Sequence, residues 1–159
     1  MNKIPLCLIG CGGMGHRHLF GYKELEDSGI SNVEVVAVCD NQKQNADFAA
    51  KEVERLFGKT PMVFYDVGDV LNNSEIVAVD VVSQPASHHS LAIPALKAGK
   101  HAMVEKPLSL TIKACKEIIK AAQSTSTVLA TTENLRRDPS NRLVKAIVEE
   151  GLIGDPYYM

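Results

Sequence analysis

A glycine-rich segment near the amino terminus constrains the fold of this chain more than any other feature. Gly10, Gly12 and Gly15 have the spacing G-x-G-x-x-G, directly after an apolar run and at the start of a predicted helix. In this spacing the first glycine allows a tight turn, the second lets a pyrophosphate approach the backbone, and the third lets helix and strand pack closely. The segment predicts a dinucleotide-binding turn, although a strand-turn-helix unit with incidental glycines would share the spacing.

Short apolar runs rich in β-branched residues alternate with amphipathic stretches along the rest of the chain. The predicted strands are residues 4–9, 33–39, 62–65, 76–82, 101–104 and 127–131, and the predicted helices are residues 13–28, 43–57, 88–97, 110–124 and 138–150. This alternation is typical of an α/β fold, a Rossmann-type doubly wound parallel sheet with helices on both faces. In the fourth predicted helix, spacings of three and four predict a sheet-facing side made by Leu108, Ile112, Cys115, Ile119 and Ala122.

The length of 159 residues is sufficient for one domain with its own core. We therefore predict that residues 1–153 form one dinucleotide-binding domain. Residues 156–159 look like the first residues of a strand, so we expect residues 154–159 to begin a missing C-terminal α/β domain that binds substrate.

Asp40 supports the dinucleotide hypothesis independently of the glycines. It ends the second predicted strand, roughly where an acidic residue about 20 positions after the turn would bind ribose hydroxyls. Its charge would repel a 2′-phosphate, which favours NAD over NADP, although the nearby Lys43 would weaken that preference. A cap or turn residue before the next helix is the alternative interpretation.

Composition narrows the range of partners. The formal net charge is −2, so the chain lacks the basic field that nucleic-acid binding requires, and we expect no nucleic-acid partner. None of the apolar runs reaches the length of a membrane span, so no membrane partner is expected. The cysteines form no C-x-x-C pair, which favours reduced thiols in the cytoplasm. The histidines and cysteines do not have the spacing of a metal site, so no metal is expected.

Three further segments follow in a characteristic order: Gln84 to His89, Ala98 to His101, and Glu105 to Pro107. With the glycine turn, they make the chain resemble the N-terminal NAD(P)-binding domain of the glucose-fructose oxidoreductase, inositol dehydrogenase and MocA family. Pro85 and His89 match the family's P-x-x-x-H element, and the later segments match A-G-K-H and E-K-P. The segments Glu133 to Pro139 and Gly151 to Gly154 also look like family features.

The resemblance implies hydride transfer between a nicotinamide cofactor and a sugar, polyol or related hydroxyl substrate. It implies that Lys106 is catalytic, although local spacing alone favours a solvated lysine. The cofactor-binding residues expected from the turn, Asp40 and the resemblance together are Gly10, Gly12, Gly13, Met14, Gly15, Asp40, Ser83, Pro85, His89, Glu105 and Lys106. For His16 and His18 we expect packing or partial exposure rather than chemistry.

The resemblance also implies that substrate contacts and further catalytic residues lie in a second domain, so we expect this chain alone to be inactive. The full-length protein is expected to be a homo-oligomer that binds a small-molecule substrate. Two other functions remain open at this point. A non-catalytic cofactor sensor would use the same fold, and a methyltransferase would also use a glycine loop and an acidic residue after the second strand.

Overall fold

Six parallel strands form one sheet in the structure, a computed structural model that describes residues 3–157. The strands are β1 (Ile4–Ile9), β2 (Val33–Cys39), β3 (Met62–Phe64), β4 (Ala78–Val81), β5 (His101–Val104) and β6 (Leu129–Thr131). Their order is β3-β2-β1-β4-β5-β6, and every neighbouring pair is parallel. This is the doubly wound order of a Rossmann fold, and it confirms the predicted fold class.

Helices connect the strands and cover both faces of the sheet. They are α1 (Gly13–Asp27), α2 (Lys43–Phe57), α3 (Val67–Asn72), α4 (His88–Lys97), α5 (Ile112–Gln123) and α6 (Pro139–Glu149). The short helix α3 was not predicted, because its six residues are too few to show a helical period. It begins where Asp66 accepts a hydrogen bond from the backbone N–H of Gly68. Strands β3, β4 and β6 are shorter than their apolar runs predicted.

The strands alternate their side chains between two apolar layers, one on each face of the sheet. In β1, Cys7 and Ile9 pack in one layer, while Leu6 and Leu8 pack in the other. Helices α3, α4 and α5 cover the first layer with residues such as Ile118, and α1 and α2 cover the second. Burial on both faces explains why the strands are apolar at nearly every position.

The predicted sheet-facing side of α5 was wrong. Ile118 and Ala121 are the buried residues of this helix, whereas Ile112 and Ile119 are exposed. Leu108 lies before the helix and, like Ala122, is only partly buried against the core. Apolar residues occur on more than one side of α5, so the three-and-four spacing selected a stripe beside the one that packs.

Helix α6 has the ends that the sequence predicted. Asp138 caps it by accepting hydrogen bonds from the N–H groups of Ser140 and Asn141, Pro139 occupies its first turn, and Gly151 follows its end with φ of +70°. None of the residues of α6 is buried. Pro156 and Tyr157 form no strand, and Tyr158 and Met159, which the predicted strand includes, lie outside the described residues. The domain boundary at residue 153 stays a prediction.

Across residues 3–157, the helices are too short or too polar to cross a membrane.

Candidate functional site

The strand order places a crevice between β1 and β4. From β1 the chain continues to β2 and β3 on one side of the sheet. After α3 it enters β4 and continues to β5 and β6 on the other side, so the loops after β1 and β4 diverge. Open parallel sheets bind ligands in the crevice at this switch point, beyond the carboxyl ends of the strands. A cleft of about 930 Å³ opens there. Of the predicted cofactor residues, the cleft is lined by Gly10, Gly12, Gly13, Met14, Asp40, Ser83 and Pro85.

The glycines of the turn have three different surroundings. A Cβ atom on Gly10 would lie 2.7 Å from the backbone nitrogen of Ser83, and Gly10 has φ of +98°. A Cβ atom on Gly15 would overlap the carbonyl oxygen of Gly10. Gly12 and Gly13 have only open space around the position of a Cβ atom. The first and third glycines are therefore required by the protein's own packing, while the second leaves room for a ligand to approach the backbone.

Helix α1 begins at this open position. Gly12 is its N-cap, no side chain caps the helix, and its first turn contains no acidic residue. The first N–H groups of a helix lack partners within the helix and carry a partial positive charge. The start of α1 can therefore accept an anionic group from the cleft, which is what a pyrophosphate requires.

Asp40 connects the end of β2 to the glycine turn. One carboxylate oxygen accepts a hydrogen bond of 2.8 Å from the backbone N–H of Cys11, and the other accepts one of 2.7 Å from the N–H of Gln42. The side chain is half-buried and lines the cleft. Each oxygen keeps a second lone pair for a hydroxyl donor, so the turn role and the ribose-binding role are compatible.

Residues after β2 and β3 complete this end of the cleft, and sequence reasoning did not assign them to it. They are Asn41, Gln42, Asn45, Tyr65, Asp66 and Val67. Most of them lie at the end of a predicted strand or within three residues after it, which was the available signal, since all carboxyl ends of a parallel sheet lie at one edge. The ammonium of Lys43 lies 5.3 Å from the centre of the Tyr65 ring.

The loop after β4 forms the opposite wall. Ser83 and Ser87 pair through their hydroxyls at 2.9 Å, and both line the cleft. His88 is fully buried, with its ring nitrogens 2.9 Å from the carbonyl oxygen of Pro107 and 3.0 Å from that of Ser83. His88 thus ties this loop to the segment after β5. His89 is half-buried on the first turn of α4 and does not line the cleft.

Glu105 and Lys106 follow β5, one strand beyond the cleft wall, and do not line the cleft themselves. The Lys106 side chain is 44% exposed, and its Nζ lies 3.9 Å from Oε1 of Glu105, whose own side chain is 11% exposed. The structure therefore presents the Lys106 ammonium to solvent at the β5 end of the sheet edge and holds the Glu105 carboxylate largely inside.

The A-G-K-H segment is structural in this chain. Gly99 follows α4 with φ of +79°, and Lys100 is buried, with its ammonium donating to the carbonyl oxygens of Asn73 and Ile76. His101 accepts a hydrogen bond from the N–H of Val128 through Nδ1. These contacts fix the start of β5 and therefore the position of Glu105, which directly follows the strand.

For His18 the sequence predicted packing or partial exposure, and it did not predict contacts with two carboxylates. Its ring contacts both Asp80 and Glu105, behind the cleft rather than in it. Two signals were available. His18 is three positions after Gly15, so both lie on the same side of α1, and Asp80 is a charged residue in an otherwise apolar strand.

The thiols near the turn are chemically quiet. Burial, followed by the charge of Asp40, raises the pKa of the Cys11 thiol to about 12, and the same causes raise the pKa of Cys39 to about 12. Both thiols are therefore protonated and unreactive at neutral pH. Among residues 3–157 no group of three or more His, Cys, Asp or Glu side chains is placed to hold a metal ion.

Comparison with known proteins adds a family and several relatives. The model of an oxidoreductase family with an NAD-binding Rossmann fold matches residues 4–133. The chain is 29% identical to a D-apiose dehydrogenase of Paraburkholderia graminis over 99% of its own length and 40% of that protein. It is 30% identical to an α-N-acetylgalactosaminidase of Shewanella oneidensis over 98% of its own length and 34% of that protein.

A solved structure agrees with the fold. The scyllo-inositol dehydrogenase of Lactobacillus casei, solved with NAD(H) and scyllo-inositol, superposes with a TM-score of 0.82 at 29% identity. The match covers 97% of this chain and 43% of that one. This chain thus spans less than half the length of these relatives.

Proposed function

Because this chain belongs to the oxidoreductase family with the NAD-binding Rossmann fold, as the resemblance predicted, we propose that it holds NAD(H) for an enzyme that oxidises or reduces a hydroxyl-bearing carbon. The substrate class we propose is a sugar, polyol or related small molecule. The observation that carries the proposal is the open backbone at Gly12 and Gly13, beside Asp40, in a cleft at the switch point of the sheet.

The cleft fits a dinucleotide in its shape and in its chemistry. The uncapped start of α1 suits the pyrophosphate, and the free lone pairs of Asp40 suit the hydroxyls of one ribose. With the adenosine half beside β2, the nicotinamide half would extend across β1 towards the loops after β4 and β5. That direction leads to Ser83, Glu105 and Lys106.

The bound cofactor would supply the hydride acceptor or donor. The chain's own residues would position the substrate and exchange a proton with it. Lys106 is the candidate catalytic residue, since its exposed ammonium lies at the sheet edge where the nicotinamide half would end. A cation there would polarise a substrate oxygen and hold or release a proton at Nζ. Glu105 would stay beside it as a fixed negative charge.

We assign NAD rather than NADP as the preferred cofactor. The Asp40 carboxylate would face a 2′-phosphate directly, and like charges at this range repel. Lys43 lies against Tyr65 instead of pairing with Asp40.

The remainder of the proposal concerns the whole protein. We propose that substrate contacts are supplied from outside this chain and that the protein is a homo-oligomer. We also propose a cytoplasmic location, consistent with free cysteines, and no nucleic-acid partner.

The relatives bear names of more than one reaction, a dehydrogenase and a glycosidase. The proposal therefore concerns cofactor binding by this chain first and the substrate second. A non-catalytic sensor and a methyltransferase make different predictions: the sensor binds NADH but the longer protein does not turn over substrate, and the methyltransferase binds S-adenosylmethionine.

Calorimetric titration of the chain with NADH, NADPH and S-adenosylmethionine tests the proposal. We expect NADH to bind most tightly. Asp40→Ala should weaken it about tenfold or more, the value of a hydrogen bond to a charged group. Asp27→Ala, which removes an exposed carboxylate at the far end of α1, is the matched control and should change nothing. Tighter binding of S-adenosylmethionine, or no nicotinamide binding by the folded chain, would contradict the proposal.

A further inference from the structure

A fully buried carboxylate lies in the middle of β4. Asp80 has no solvent exposure, and its Oδ2 accepts a hydrogen bond of 2.7 Å from the hydroxyl of Tyr22. The same oxygen lies 2.7 Å from Nδ1 of His18, while Oδ1 has no hydrogen-bond partner. A buried carboxylate with so few donors is costly to the fold unless a cationic neighbour pairs with it.

His18 is that neighbour, and it extends the contact towards β5. Its Nε2 lies 3.5 Å from Oε2 of Glu105, which also accepts a hydrogen bond from the hydroxyl of Thr132. The other oxygen of Glu105 faces Nζ of Lys106 at 3.9 Å. Four groups therefore follow one another in space from the core to the surface, with Asp80, His18, Glu105 and Lys106 in that order.

The contacts of the His18 ring determine its protonation. A neutral imidazole has one N–H and one lone pair, so it can donate to only one of two carboxylates. Burial lowers the pKa of His18, but the hydrogen bond and charge of Asp80, followed by those of Glu105, outweigh burial and raise it. The charges along the four groups then alternate in sign, and every neighbouring contact is attractive.

The network joins parts of the chain that no local interaction connects. His18 belongs to α1, which starts at the glycine turn, whereas Glu105 follows β5 two strands away in the sheet. Thr132 follows β6 and restrains the same Glu105 oxygen. Glu105 is therefore held by contacts from two sides, and the sheet fixes the spacing of the elements that supply them. The side chain of Lys106 is exposed, so its own contacts cannot hold it in the same way.

We propose that His18 is a positioning residue: as an imidazolium between Asp80 and Glu105, it fixes the Glu105 carboxylate and thereby the place of the Lys106 ammonium. The catalytic meaning of this arrangement rests on the function proposed above, but the contacts of His18 lie within this chain and can be tested separately from that function. A purely structural ion pair would stabilise the fold equally well, yet it would leave the surroundings of Lys106 unchanged when His18 is replaced.

NMR of the cofactor-free chain distinguishes these roles. Titration of the His18 ring resonances should show the imidazolium persisting above the ordinary histidine pKa of 6.5. Glu105→Gln and Asp80→Asn should each shift the His18 titration to lower pH, with Asp80→Asn having the larger effect. A His18 titration at or below the ordinary histidine pKa, or one that neither variant moves, would overturn the proposal.

The second readout is the Cε resonance of Lys106, assigned with Lys106→Arg. His18→Gln should shift this resonance, whereas His16→Gln should leave it in place. If His18→Gln does not fold, Asp80→Asn removes the charge that pairs with His18 and should shift the same resonance. An unchanged Lys106 resonance in a folded variant would assign His18 a structural role only and overturn the proposal.

Cofactor binding then separates this proposal from the previous one. His18→Gln should weaken NADH several-fold while leaving ADP-ribose, which lacks the nicotinamide, bound as tightly as in the unaltered chain. Equal loss for both ligands, or no loss, would contradict the positioning role. Failure of the unaltered chain to bind either ligand would contradict the proposed function instead, and the NMR results would still decide the role of His18.

Discussion

The two sides of the switch point are built by different means. On the β2 side, the cleft is formed by backbone N–H groups, a missing side chain at Gly12 and the half-buried carboxylate of Asp40. On the β5 side, the exposed Lys106 stands in front of buried charged groups that span α1, β4 and β5. The β2 side depends on open space that a ligand can enter. The β5 side depends on the arrangement of charged groups within the protein.

The comparison predicts that removing a carboxylate destabilises the fold much more on the β5 side than on the β2 side. Asp80→Ala deletes the anion beside His18 and should lower the free energy of unfolding by about 3 kcal/mol or more, because it breaks a buried ion pair. Asp40→Ala should cost only about 1 kcal/mol, since its partners are backbone groups near solvent. Urea denaturation of both variants measures the difference. Equal losses would show that the two sides are not distinct.

The glycines sharpen the same comparison within the turn. Gly15→Ala should lower the free energy of unfolding by about 2 kcal/mol, because the new Cβ overlaps the backbone of Gly10. Gly12→Ala places its methyl group in open space and should cost less than about 1 kcal/mol, the range for an N-cap change.

The effects of these variants on NADH affinity should have the reverse order. The methyl group of Gly12→Ala should block a pyrophosphate, so that the folded variant no longer binds NADH. Gly21→Ala, in the same helix with open space around it, is the matched control and should bind normally. Unchanged NADH affinity in Gly12→Ala would mean that the ligand does not approach the backbone here.

The stability that the β5 side contributes should also depend on pH around neutrality. The folded state raises the pKa of His18 above its ordinary value of 6.5. Its contribution to stability is therefore complete below that value and is lost as the pH rises through the higher, folded-state pKa. Urea denaturation across neutral to mildly alkaline pH should show this decline, and His18→Gln should remove it. A decline that persists in His18→Gln would have another origin.

The smallest expected effect concerns the choice between NADH and NADPH on the β2 side. Asp40→Asn keeps a side chain that can hydrogen-bond but removes the charge, so NADPH should gain about 1 kcal/mol relative to NADH, a few-fold in affinity. Competition titrations with both cofactors measure the ratio. An unchanged ratio would indicate that Asp40 does not face the 2′ position.

The β2 side was predictable from the sequence because its determinants are local. The glycine spacing and Asp40 at a strand end have meaning within a few residues, and the structure places them in one cleft. The network of His18, Asp80 and Glu105 was not predicted, since its members are separated in sequence and meet only when α1 packs on the sheet. The face of α5 was wrong for a related reason: spacing gives candidate stripes, and tertiary packing selects among them.

Backbone amide NMR spectra of the chain with NADH, and separately with ADP-ribose, test the central claim most directly. The account predicts that both ligands shift the amides of Gly12, Gly13 and Met14, while only NADH also shifts those of Ser83, Glu105 and Lys106. Shifts confined to other parts of the molecule, or identical shifts with both ligands, would contradict a dinucleotide lying across the switch point with its nicotinamide half towards β5.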